Sequence, residues 1–305
     1  MKLHRNSPMR VASLLAAALL TASSAAAQSA GMAAMPGMHH AAPRAVSAAA
    51  RREIRSVEKS MQALASTDAA AAAGFRSAFG WIPTMGTHWV RPSQMLNGRQ
   101  TDRTAPSQLM FSPIGGKDSL VGIAYGYYTV PSDTVRPALF DGAPAWHEHE
   151  DLGPPGTTLV MLHVWFVPSP DGAFAGTNPN LPFWAVGLAA PDAARMHDAA
   201  FGARVRRAAL ALAEVADTTS LYPTLAPRPD VRAVLVPRRD SVRALIPEFL
   251  AAEKAHDAAR WDRAAERAAA QWDAMYAAFV GSTRTAAGRA RVEQVAAMLL
   301  GKHGE

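Results

Sequence analysis

The side chains best suited by type to do chemistry are histidines. The chain carries ten of them and no cysteine. Any metal must therefore be held by imidazole, thioether, carboxylate or backbone oxygen, and thiol nucleophiles are excluded. His88, His147, His149 and His163 all fall in a stretch of short apolar runs separated by turn residues. Residues 157–167 read TTLVMLHVWFV. As a strand this segment sets Leu159, Met161, His163, Trp165 and Val167 on one face and Val160, Leu162, Val164 and Phe166 on the other. Both faces are apolar, as in a strand covered on both sides. An imidazole left unsatisfied there costs roughly 1–3 kcal/mol. It needs either a metal or the hydrogen bonds of an ordinary core histidine.

His147 and His149 form an H-x-H pair in WHEHE. If that segment is extended, both rings reach one face within bite of one ion, with Glu148 and Glu150 on the other. If it is a loop, the same residues make an acidic, solvated turn. His88, in PTMGTHWV, opens a short strand beside Trp89. Neutral imidazole is the commonest protein metal ligand, so convergence of these four would suit a divalent transition metal, zinc or copper. Were such a centre catalytic, Glu148, Glu150 and Tyr125 are the candidate acid–base groups. A weaker donor set, Met32, Met35, Met38, His39 and His40, lies in MAAMPGMHH. Thioether with imidazole favours copper, although the segment also reads as a low-complexity linker. No H-E-x-x-H, phosphate-binding glycine loop or G-x-S-x-G turn occurs, so no nucleotide cofactor is expected.

The elements that must position these residues give an α+β expectation. Residues 46–79 repeat apolar Ile54, Val57, Met61 and Leu64 at helical spacing, opposite Arg51, Arg52, Arg55, Glu58 and Lys59. Strands are expected at 88–90, 108–111, 120–130 and 157–167, with turn chemistry at 113–118 and 168–172. The spacing thus predicts a small antiparallel sheet with an N-terminal helix packed on it, followed by an α-helical C-terminal region. Helices are expected at 192–217, 240–259, 258–280 and 283–301, with residues 225–240 (LAPRPDVRAVLVPRRD) as a Pro/Arg loop. Trp261, Ala265, Ala268, Trp272, Met275 and Phe279 share one stripe, with Tyr276 beside it. That stripe forms either a private core or a docking face for a protein partner.

The leader has the order of a secretory signal: Lys2, Arg5 and Arg10, an apolar run over 11–20, then Ala25, Ala26 and Ala27. A spanning helix needs ~20 apolar residues and this run is about half as long, so cleavage near Ala27 and a periplasmic or secreted protein are expected. Loss of three cations and no acid takes the net charge from +6 to +3. That balance, without basic patches, is no nucleic-acid footprint. No other segment is apolar enough to span a membrane. The expected organisation is a signal peptide over 1–27, a Met/His-containing linker over 28–45, an α+β domain over 46–190 and a helical region over 191–305.

Over residues 70–183 the ordered segments GF, MGTHWV, PSQLMFSP, LVGIAYGYY, PALFDG and LVMLHVWFVPSPDGAFAGTNPNLP are similar to an uncharacterised family of secreted bacterial proteins. No activity comes with the resemblance. His88 and His163 match the family's two histidines, Ala124 stands at its usual Glu, and Ser169 at the Asn of its N-P pair. If the family site is a His/Glu/His metal centre, His147, His149 or Glu150 must replace the carboxylate here. Three functions stay open: binding of a metal or small ligand through the histidines, a metal-dependent hydrolase or oxidoreductase using them, or a metal-free structural or interaction protein.

Overall fold

A computed structural model describes residues 46–78, 80–141, 146–149, 152–216 and 229–301. The leader, the linker with Met32, Met35, Met38, His39 and His40, and Glu150 lie outside the described residues. The described residues fall in one compact unit.

Helix α1 (Ala48–Met61) begins where the Ser47 hydroxyl accepts the Ala50 amide, an N-cap that satisfies one orphan donor. It buries Ala50, Ile54, Val57 and Met61. The single helix expected over 46–79 is broken. After a 3-10 turn (Gln62–Leu64), Ser66 caps a second short helix, α2 (Thr67–Ala72). Gly74, at φ +91°, ends it and turns the chain into the sheet.

Six strands follow: β1 (Arg76–Ser77), β2 (Thr87–Val90), β3 (Gln108–Ile114), β4 (Lys117–Thr129), β5 (His147–His149) and β6 (Thr158–Trp165). They pair antiparallel in the order β1-β2-β3-β4-β6-β5. The β3–β4 hairpin closes on Gly115 and Gly116, with φ of 59° and 78°, the left-handed values that a two-residue turn requires and glycine permits. One sheet face packs Leu109, Phe111, Ile123, Tyr125, Leu162 and Val164 against Ile54, Val57 and Met61 of α1. The other carries Met110, Ala124, Leu159, Met161 and Trp165, met by Met95 of α3 (Pro92–Leu96) and Leu181 of α4 (Leu181–Ala185). β6 is buried along its whole length, as its two apolar faces predict.

The helical region comprises α5 (Ala199–Ala216), α6 (Pro229–Ala255), α7 (Ala258–Ser282) and α8 (Ala286–Leu299) around a separate core. The helix expected from residue 192 starts at Ala199, because the Asp198 carboxylate accepts the Phe201 amide there. The expected loop over 225–240 is helical from Pro229 onward, with Pro237 inside the helix. Proline is tolerated in a first turn, and burial of Leu235 and Val242 in the helical core offsets the hydrogen bond lost at Pro237. Ala265, Ala268, Trp272 and Met275 are buried in that same core. Trp261 packs among Phe183, Phe201 and Phe249. The α7 stripe is therefore spent within the chain. Among the described residues no helix is long and apolar enough to cross a membrane.

Candidate metal centre

Strand register puts the four imidazoles on the sheet face opposite α1. His163 on β6 faces Ala124 on β4, His88 on β2 faces Met110 on β3, and His147 on β5 faces Met161 on β6. The H-x-H pair is a strand: His147 is buried, Glu148 is exposed, and His149 is half-buried. β2 and β6 are three strand steps apart, roughly 14 Å if the sheet were flat. The histidines nonetheless meet, with His88 Nε2 and His163 Nε2 3.4 Å apart. The intervening positions of β4 on this face are Gly122, Ala124 and Gly126, which leave a trough. A Cβ at Gly122 would strike the Val164 carbonyl oxygen at 2.5 Å, so nothing larger than hydrogen fits there.

The rings form a chain. Centroids lie 5.4 Å apart for His88–His163, 4.9 Å for His147–His163 and 5.0 Å for His147–His149. His88, His163 and His147 are buried, and the half-buried His149 is the end that reaches solvent.

Hydrogen bonding orients the inner pair. His163 Nδ1 lies 2.8 Å from the Gly176 carbonyl oxygen. A carbonyl only accepts, so Nδ1 donates, and in the neutral ring Nε2 holds the lone pair. This is the outer support that metal-binding histidines use. The Gly176 carbonyl is delivered by a loop that folds back along β6, where Trp165 Nε1 donates to Ala175 and Asn178 and Asn180 both donate to the Pro168 carbonyl. His88 Nδ1 is buried without a hydrogen-bond partner among the described residues. Burial pushes the His88 pKa down to about 4, the Gly86 carbonyl partly offsets this, and repulsion from His149 adds to it. The ring is therefore neutral at physiological pH, the form that ligates metals.

Two nitrogens bound to one tetrahedral ion at ~2.0–2.1 Å stand about 3.3–3.4 Å apart, which is the separation His88 and His163 already hold. The third and fourth imidazoles are adjacent, but among the described residues no group of three or more such side chains is gathered as a finished metal site.

The acid–base candidates lie elsewhere. Glu148 is on the opposite side of β5, ion-paired with Arg136. Tyr125 faces α1, buried, and its hydroxyl donates to the Arg103 carbonyl; burial raises its pKa far above the ordinary tyrosine value. Ala124 lies directly across from His163, so a methyl group stands beside the imidazoles where a carboxylate would have been a ligand. Ser169 has a buried hydroxyl without a hydrogen-bond partner among the described residues. The Gly176 carbonyl and the flanking Met110 and Met161 were not singled out from the sequence. The asparagines of TNPN are the only written trace of the loop that aims the carbonyl. No protein-family model, curated protein or solved structure matches the chain.

Proposed function

We propose that this chain is an exported protein that binds a transition-metal ion between His88 and His163, with His147 as third ligand and His149 at the mouth. The observation that carries the reading is the pair of facing Nε2 atoms, 3.4 Å apart, with His88 kept neutral by burial and His163 oriented by the Gly176 carbonyl. Imidazole ligands suit zinc and copper alike. Export rests on the leader, with its cations, apolar run and alanine cleavage site.

Binding is favoured over catalysis by the acid–base groups. Of the acid–base candidates among the described residues, Glu148 is engaged by Arg136 and Tyr125 is buried against the helix-covered face, so neither can pass a proton to a metal-bound water. Metal analysis and calorimetry on the untagged chain test the reading. About one Zn²⁺ or copper ion per chain is expected, with binding weakened at least tenfold in His88→Gln and in His163→Gln. A chain that takes up neither metal, or that binds equally well in both variants, refutes it. Thermal unfolding of the metal-free variants checks that they remain folded.

A further inference from the structure

We propose that the ion held at this seat is copper in its monovalent state, with the thioethers of Met161 and Met110, in place of His147, completing the His88–His163 pair to four ligands. The inference rests on the metal-seat reading above and goes beyond it in naming the metal and the sulfur ligands.

The two methionines are cross-strand partners of the histidines. Met110 is opposite His88 and Met161 is opposite His147, positions whose Cβ atoms are about 4.5–5.5 Å apart in an antiparallel pair. Met161 also precedes His163 by two residues and shares its face. Both side chains are buried, and both lean inward over β4. Met110 Cε lies 2.6 Å from where a Cβ on Gly122 would be, and Met161 Cγ lies 3.5 Å from the same point on Gly126. The glycines of β4 thus admit a sulfur chain from each side of the trough that the His88–His163 pair spans.

The donor chemistry on this face is soft. Its strand positions within 108–110, 122–126 and 159–165 carry a glutamine amide, thioethers, an imidazole, an indole and aliphatic groups, but no carboxylate. Thioether sulfur selects monovalent copper, whereas zinc in such sites draws on thiolate, imidazole and carboxylate. The chain has no cysteine to supply a thiolate. Met is unbranched, with three rotatable bonds, so its sulfur can reach an ion through side-chain rotation alone.

The test compares Cu⁺ affinity, by competition with a chromophoric Cu⁺ chelator under reducing conditions, with Zn²⁺ affinity against a zinc indicator. Untagged wild-type chain, Met161→Leu, Met110→Leu and His88→Gln are used. Leucine nearly matches methionine in volume, so the fold is retained. Cu⁺ binding is expected to weaken at least tenfold in one or both Met variants while Zn²⁺ affinity changes less than threefold. X-ray absorption at the copper edge of the wild-type complex provides a second readout, with sulfur expected among the nearest neighbours. Zn²⁺ bound at the histidines, with Cu⁺ unaffected by either leucine, overturns the copper assignment and leaves the metal seat standing. No metal of either kind overturns both. Copper indifferent to Met161, Met110 and His88 is copper held by Met32, Met35, Met38, His39 and His40, and overturns the assignment as well.

Discussion

Burial of His88 ties the stability of the metal-free protein to pH with a definite sign. The imidazole titrates at 6.5 in an ordinary setting and at about 4 here. Between those values the unfolded chain takes up a proton that the folded chain refuses. The contribution is complete above pH 6.5 and is lost as pH falls toward 4. At pH 5 nearly every unfolded chain carries the proton against roughly one folded chain in ten. That amounts to roughly 2 kcal/mol of stability lost relative to pH 8. His88→Gln removes the titration while keeping an N–H for His163 Nε2. Urea unfolding of both proteins, in chelator, at half-unit steps from pH 4.5 to 8 reads the effect as the difference between them at each pH. This comparison cancels the titration of every group that does not interact with His88. The wild type should lose about 2 kcal/mol more than the variant on going from pH 8 to pH 5. A difference that stays flat across that range refutes the claim that His88 is buried and neutral.

Glu214, on α5, is buried with Oε2 unpartnered among the described residues, and burial lifts its pKa to about 8 despite the nearby Arg239. The raised carboxyl penalises the folded state as pH climbs from 4.5 to 8, by an upper bound of roughly 5 kcal/mol. Glu214→Gln should therefore gain stability progressively over that interval in chemical unfolding; a variant no more stable at pH 8 than wild type would contradict it. Gly122→Ala drives a methyl group into the Val164 carbonyl and Met110 Cε, at 2.5 and 2.6 Å. It should lower stability by about 1–3 kcal/mol and weaken metal binding by displacing Met110, both measurable on one preparation. Trp272→Ala, which empties a buried site in the helical core, should cost about 3–5 kcal/mol. Thermal unfolding should show a clear fall in midpoint, and an unchanged midpoint would place the stripe outside that core.

Much of the architecture was legible because it is local. The alternation in TTLVMLHVWFV forces a strand buried on both sides, and Gly115-Gly116 can hardly be anything but a tight turn. Ile54, Val57 and Met61 mark one face of a helix whatever lies opposite. Even the H-x-H pair had only two options, and pairing of His147 with Met161 selected the strand. Where local signals misled, packing intervened: Leu235 and Val242 belong to the helical core, so the Pro/Arg segment winds into α6 despite Pro237. The meeting of the imidazoles was of another kind. His88 and His163 are 75 residues apart in the chain, and their approach depends on strand order, on register set by pairing over several residues, and on glycines in a third strand that let side chains lean across. The Gly176 carbonyl that turns one ring is a backbone atom and has no letter of its own. Residue types determine which donors are available; which donors face one another is a property of long-range hydrogen-bond register, and only the folded sheet decides it.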